Sequence, residues 1–328
     1  MNFFKGKKLL ITGGTGSLGQ ALCKKLRSCG GSVIIYSRDE GKQALTYGQQ
    51  EDVVKIIGDI RDYDKIRFSI CQHQPDYVIH AGALKRIDDL ERYPAECIKT
   101  NVTGTQNVAR ACLEGGVEKC ILISTDKACE PVNVYGASKF IGERLFTNCD
   151  YDSNSTVFSS VRYGNVIGSR GSFIPLWMNS IKNGRPITVT SMECTRFLFT
   201  LSDAVSTVLS SLVNSLGGEV FIPQINSFKM ESVLQAIQKL TGSGSINSKV
   251  IGMRPGEKFH EDMLGSLELP FSYVVPEVNL IQVRPQYTKK VYQDFSPYRG
   301  EVLNSALHLE GDVGKLAALI QRGLSDAG

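Results

Sequence analysis

Lys8-Leu-Leu-Ile-Thr12-Gly13-Gly14-Thr15-Gly16-Ser17-Leu18-Gly19, followed by the run Gln20 to Ser28, is the stretch whose reading decides the fold. A short apolar segment passes into glycines spaced G-x-x-G-x-x-G and then into a segment whose residues suit a helix. Glycine spacing alone is weak evidence. Placed between a strand and a helix it has a mechanism: the glycines allow a tight turn and close approach of a pyrophosphate, and the helix start offers free N–H groups and a positive dipole end.

Outward from this motif, short β-branched runs alternate with longer helix-compatible stretches at Lys8–Thr12, Ser32–Tyr36, Val53–Ile57, Tyr77–His80, Lys119–Ser124 and Thr156–Tyr163. The rhythm predicts βαβ units around a parallel sheet, an α/β Rossmann-type doubly wound fold. Runs apolar on both faces, such as Cys120-Ile-Leu-Ile, suit strands covered by helices on each side. After Tyr163 the pattern breaks up at Gly168, Gly171, Pro175, Gly184 and Pro186, as in segments that fold over a ligand. We therefore expect a dinucleotide-binding domain over 1–165, rejoined by a helix at Leu201–Leu216 and a strand at Glu219–Pro223 within 198–224. A smaller C-terminal substrate-binding lobe is expected from 166–197 and 225–328.

The chain has 328 residues and is 42% hydrophobic, enough for a large core. Lys+Arg 37 against Asp+Glu 33 leaves +4 with both signs interleaved, which argues against a nucleic-acid or membrane surface. The nine cysteines (Cys23, Cys29, Cys71, Cys97, Cys112, Cys120, Cys129, Cys149, Cys194) are scattered without metal-ligand spacing. Reduced thiols, a cytoplasmic location and no metal are the expectation. No apolar run approaches the ~20 residues a membrane helix needs.

The second strand ends Tyr36-Ser37-Arg38-Asp39-Glu40, with Lys42 close behind. An acidic residue there would hold the ribose of NAD, whereas an arginine accommodates the extra phosphate of NADP. Arg38 and Lys42 favour NADP, while Asp39 keeps an NAD reading open. Asp59, after the third strand, has two readings: a contact to the adenine amino group, or a cap for the next helix. Tyr135-Gly-Ala-Ser-Lys139 places a phenol and an ammonium one helical turn apart, so that the lysine charge would lower the phenol and make Tyr135 a proton carrier. Ser124-Thr125-Asp126-Lys127 closes the fifth strand, the edge where ligands bind in such sheets.

Taken together, Gly13–Gly19, Ser37–Glu40, His80-Ala-Gly-Ala-Leu-Lys85, Glu96-Cys-Ile-Lys-Thr-Asn101, Ser124–Lys127, Tyr135–Lys139, Arg162-Tyr-Gly-Asn165 and Arg254-Pro-Gly-Glu-Lys258 resemble the extended short-chain dehydrogenases/reductases. Within that family the likeness is to the inverting UDP-N-acetylglucosamine 4,6-dehydratases, over nearly the whole length. The resemblance implies cofactor contacts at Thr12, Gly13, Thr15, Gly16, Ser17, Leu18 and Gly19, then at Ser37, Arg38, Lys42, Asp59 and Ile60. Further ones follow at Ala81, Gly82, Ala83, Lys85 and Asn101, and at Tyr135 and Lys139. It implies catalysis by Thr125, Asp126, Lys127, Tyr135 and Lys139, and substrate contacts at Lys85, Asn165, Arg196, Arg254 and Glu257. Both arginines have the forked geometry that suits a diphosphate. Phe221-Ile-Pro-Gln224 would line the uracil pocket.

Simple epimerases of the family carry a small hydroxyl residue where this chain has Asp126-Lys127. The implied chemistry is oxidation at carbon 4 with Tyr135 taking the hydroxyl proton, then loss of water. Asp126 would protonate the carbon 6 hydroxyl and Lys127 would take the carbon 5 proton, which needs Asp126 protonated and Lys127 neutral at that moment, states reachable if burial disfavours both charges. Hydride return to carbon 6 would regenerate a tightly bound NADP, and reprotonation of carbon 5 from the other face would invert it. The competing readings are an NAD(P)-dependent nucleotide-sugar epimerase that loses no water, and a non-catalytic NADP-binding regulator. By the same resemblance, helices near Pro94–Glu114 and Tyr135–Cys149 would make a homo-oligomer contact.

Overall fold

In a computed structural model that describes residues 2–153, 155–242, 244 and 246–327, burial along the first strand, β1 (Lys8–Thr12), alternates between two apolar layers. Leu9 and Ile11 enter one layer, with Leu22 and Leu26 of helix α1 (Ser17–Ser28) and with Ala204, Val205, Val208 and Leu212. Leu10 enters the other, with Ile34, Val78, Leu122, Ile66, Ile70, Val108 and Phe158. Each such side chain, taken fully out of water, contributes about 1.5–3 kcal/mol. A strand buried on both faces needs helices on both faces, and short right-handed βαβ crossovers supply them.

Strands β2 (Ser32–Ser37), β3 (Val53–Ile57), β4 (Tyr77–His80), β5 (Lys119–Ile123) and β6 (Val157–Val161) join β1 in a parallel sheet of order β3-β2-β1-β4-β5-β6. Thr12 pairs with Tyr36 on one side and with His80 on the other, so the strand ends are level there. Beyond β6 the strand Val220–Pro223 adds in parallel, with Val220 opposite Ser160. The helix Leu201–Asn214 that precedes it starts with a capping box between Thr200 and Asp203. The central sheet also extends further than the sequence reading placed it. Leu280–Val283 pairs antiparallel with Val220–Pro223, and Ser272–Val275 pairs antiparallel with Leu280–Val283. This corrects the assignment of all of 225–328 to the lobe. A hairpin needs only an unpaired sheet edge, whatever its place in the chain.

A separate apolar cluster holds the lobe together: Ile167, Ile174, Trp177, Ile187, Val189, Phe228, Val233, Ile237, Leu316 and Ile320. The segment expected as a helix over Pro94–Glu114 is broken into a helical turn at Pro94–Cys97, a π-helical stretch at Ile98–Thr103 and an α-helix at Gly104–Glu114. Such wide turns re-aim side chains locally. Here the stretch carries Asn101 inward, where it is buried.

Candidate active site

The glycine loop is shaped for a ligand at three points. Gly13 sits at φ +68°, and a Cβ there would lie 2.8 Å from the Ala81 carbonyl oxygen. At Gly19 a Cβ would fall 2.6 Å from Gly14, so the glycine lets α1 pack against the loop. Gly16, the N-cap of α1, uses no side chain as a cap, and a Cβ on it would meet only the Gly13 carbonyl oxygen at 3.2 Å. First-turn N–H groups are therefore free for an anion, and this cradle fits the pyrophosphate of a dinucleotide. Thr12 uses its hydroxyl on His80 Nδ1 at 2.7 Å and on the Gly82 N–H at 3.1 Å, which ties the cradle to the loop Ala81–Ala83.

At the end of β2, Ser37 accepts from Gln43, and Arg38 is half exposed with Asp59 at 3.7 Å. Asp39 is already engaged: it caps the helix Glu40–Tyr47 by accepting from the Lys42 N–H at 2.9 Å and pairs with Lys42 Nζ at 2.9 Å. The capping reading of Asp59 is corrected, since Asp62 caps the helix Tyr63–His73. Asp59 instead accepts from Arg61 N and Nε, each at 2.9 Å. Ile60 is buried against Gly104. Asn101 has its amide engaged on Leu84, by 2.8 and 2.9 Å bonds, and on Ser138 Oγ at 3.0 Å, so it fastens the loop carrying Lys85 to the helix carrying Tyr135. Lys85 donates to the Arg170 carbonyl at 3.2 Å, and Arg170 itself reaches back to the Thr15 carbonyl and Ser17 Oγ.

The helix Val134–Asp152 presents Tyr135 and Lys139 one turn apart. Its N-cap, Asn133, accepts from Gly136 N–H at 2.7 Å and donates to the Gly256 carbonyl at 2.7 Å, so the Arg254–Lys258 turn is bound to the start of this helix. Burial lowers Lys139 to about 8 against the opposing charge of Glu143. Burial also raises the Tyr135 phenol to about 12, opposed by the Lys127 charge and a hydrogen bond to Thr125. The expectation that Lys139 lowers this phenol is thus corrected. Lys127 is the opposing cation.

Lys127 Nζ lies 3.0 Å from Asp126 Oδ1 and 3.0 Å from Glu261 Oε1. Burial by itself lowers this amine, but the two carboxylates outweigh it and hold the ammonium above its ordinary value. Lys127 therefore rests as an ammonium, and the neutral amine needed at the moment of proton abstraction is not supplied by burial. Asp126 Oδ1 receives three donors, from Thr125 Oγ1 at 2.8 Å, the Lys127 N–H at 2.9 Å and Lys127 Nζ, while its buried Oδ2 has no partner among the described residues. An orphaned buried carboxyl oxygen is where a transferable proton would sit.

On the substrate side the predicted residues divide. Asn165 Oδ1 is buried without a described partner, an acceptor open to a ligand. Arg254 is half exposed, with Asp88 at 3.2 Å. Arg196 and Glu257 are not free for an incoming group, because they pair with each other at 2.9 Å, and Glu257 also accepts from Thr190 at 2.9 Å. Phe221 and Ile222 are wholly buried in the sheet, which corrects their assignment to a uracil pocket. Glu261 was missed by the sequence reading. Its only local signal is a carboxylate shortly after Lys258, and nothing local links it to Lys127. Among the described residues all nine cysteines are free, no acidic, His or Cys cluster suits a metal, and no helix is long and apolar enough to cross a membrane.

A glycine cradle, a level strand edge and a Tyr/Lys pair beside it define the class: a dinucleotide-binding enzyme of the extended short-chain dehydrogenase/reductase type. The chain belongs to the family described as "Polysaccharide biosynthesis protein", which matches residues 9–282. It is 42% identical over 299 residues to the "UDP-N-acetylglucosamine 4,6-dehydratase (inverting)" of Campylobacter jejuni subsp. jejuni, 87% of each chain. It is 39% identical over 275 residues to the "UDP-glucose 4-epimerase" of Rickettsia rickettsii, covering 81% of this chain and 80% of that one. The X-ray structure of Pen from Bacillus thuringiensis superposes with a TM-score of 0.90 at 32% identity, over 98% of both chains.

Proposed function

We propose that the chain is an inverting UDP-N-acetylglucosamine 4,6-dehydratase working with NADP, with Thr125, Asp126, Lys127, Tyr135 and Lys139 as its catalytic residues. The observation that carries this reading is the Asp126–Lys127 pair, a carboxyl group and an amine 3.0 Å apart, beside Tyr135. Elimination of water needs an acid and a base at carbons 6 and 5, whereas an epimerisation by hydride transfer needs only the proton carrier at carbon 4. When bound, the dinucleotide would supply the hydride acceptor and donor. Tyr135 takes the carbon 4 hydroxyl proton in its phenolate form, which burial makes the minor one in the resting site. The resulting ketone on the sugar acidifies carbon 5, whose proton passes to Lys127 while Asp126 protonates the leaving hydroxyl. Because Asp39 is engaged in capping, Arg38 is the side chain at the end of β2 left to meet a ribose substituent, which supports NADP over NAD. Asn165, Lys85 and Arg254 are proposed to meet the UDP-sugar. The exposed apolar side chains Ile98, Phe140 and Ile141 support contact with a second copy through this face.

Incubating the purified protein with UDP-N-acetylglucosamine in heavy water tests the reading. Mass and proton spectra are expected to show loss of one water and deuterium at carbon 5 in the inverted product. Lys127→Ala is expected to slow the reaction about 10²–10⁴-fold while its dinucleotide, released on denaturation, remains NADP. Turnover without water loss would favour the second reading, an epimerase, which the Rickettsia relative's name supports.

A further inference from the structure

Glu261 is buried at 2% exposure, yet it lies outside every motif used above. Its backbone is fixed on both sides by Ser305, whose Oγ accepts from the Glu261 N–H at 2.7 Å and whose own N–H donates to the Glu261 carbonyl at 2.8 Å. Its side chain points Oε1 at Lys127 Nζ, 3.0 Å away, and at Arg196 Nε, 3.8 Å away, and leaves Oε2 buried without a described partner. Two acidic side chains thus flank one amine, and each has an orphaned buried oxygen. Buried polar atoms are seldom left without a partner, so two orphaned carboxyl oxygens beside one amine mark this centre.

We propose, resting on the dehydratase reading, that Glu261 is a positioning residue: it seats the Lys127 amine opposite Asp126 and fixes the pH window in which that pair works. The pair holds one proton between its two groups. Moving it from Lys127 Nζ to Asp126 leaves a carboxylic acid and a free amine. The amine then takes the carbon 5 proton, the electron pair of that C–H bond forms the carbon 5–carbon 6 double bond, and the carbon 6–oxygen bond breaks. Its oxygen leaves with the Asp126 proton as water, and the pair is again carboxylate and ammonium. Glu261 is not consumed, but its charge favours every proton bound nearby. The other groups facing this centre are Tyr135 from its helix, Arg196 from the strand Thr195–Phe199, Glu257 through Arg196, and His260, bonded to Thr195 Oγ1 at 2.8 Å. Burial and the Asp126 charge raise Glu261, and Lys127 and Arg196 oppose them.

The test is Glu261→Gln in the enzyme with its dinucleotide. Loss of the negative charge beside the Lys127 amine lowers the proton affinity of this centre, so both limbs of the kcat–pH profile are expected to move toward acid by about one unit or more. KM for the nucleotide sugar should change less than about threefold, because Glu261 is assigned no substrate contact. Glu261→Asp restores the charge and is expected to return both limbs with a reduced kcat. Nitrogen-15 NMR titration of the Lys127 amine in the resting enzyme should move the same way. Since that readout needs no turnover, it separates failure of this inference from failure of the dehydratase reading, which native enzyme without water loss would reveal. Profiles and titrations that superpose on the native ones would overturn the proposal. If the Gln variant does not fold, shifted limbs in the Asp variant would overturn it and native limbs would support it.

Discussion

At His80 the hydrogen bonds decide which ring nitrogen carries the proton. Thr105 Oγ1 donates to the Asn101 carbonyl at 2.6 Å, so it can only accept from His80 Nε2, 3.0 Å away, and Nδ1 must then accept from Thr12 at 2.7 Å. Burial, with a smaller push from Lys139, lowers this imidazole from 6.5 to about 3. Because the folded value lies below the unfolded one, the unfolded chain takes up a proton first as pH falls. Stability is then full above pH 6.5 and is lost toward pH 3, at about 1.4 kcal/mol per unit. Unfolding free energies from urea denaturation at pH 7 and pH 5 are expected to differ by about 2 kcal/mol from this group, and by that much less in His80→Gln. An acid dependence identical in the two proteins would refute the assignment. The same residue marks a limit of sequence reading. His80 stood in a recognisable motif, but its tautomer depends on Thr105 and Asn101, which the helical stretches Ile98–Thr103 and Gly104–Glu114 bring to it.

Elements with a local cause were the most legible. β1, α1 and the loop between them follow from a strand run, three spaced glycines and a helix start, all determined by neighbours in sequence. The Tyr135–Lys139 turn was legible for the same reason. The π-helical stretch at Ile98–Thr103 was not, because one added residue per turn is a response to what the helix must reach, here Leu84 and Ser138. Asn133 joins the two kinds of information: a local cap for one helix and a distant tie to Gly256. Asn133→Ala is expected to cost about 1 kcal/mol as a lost cap, read as a fall in Tm of about 2–4 °C. It should also raise KM for the nucleotide sugar by loosening the Arg254 turn. Unchanged KM with the lowered Tm would leave the cap and remove the tie.

Across the whole molecule, the sheet, the helix Val134–Asp152 and the loop at Glu268 are joined through Arg162, whose side chain is wholly buried. It meets Glu143 by 3.1 and 2.7 Å bonds, Glu268 by 2.8 and 2.9 Å bonds and the Met263 carbonyl at 2.8 Å, while Ser124 Oγ adds a 2.5 Å bond to Glu143. Arg162→Met would leave two carboxylates facing each other unpaired and is expected to lower unfolding free energy by about 3–5 kcal/mol. Arg162→Met with Glu143→Leu should recover part of this. A urea denaturation series that finds no recovery would show that the arginine acts through something other than its charge.

The sequence by itself determined the doubly wound core, the glycine cradle and the presence of Asp126, Lys127, Tyr135 and Lys139 at one strand edge. Strand and helix periodicity, turn sterics and the G-x-x-G-x-x-G spacing are short-range constraints, written where they act. The tertiary structure alone decided that Ser272–Val283 completes the central sheet, that Arg196 and Glu257 face each other, and that Glu261 stands over Lys127. Which charge a buried group carries depends on the charges that surround it and on the water that is excluded. Those neighbours come from remote parts of the chain, so their pairing leaves no local pattern to read.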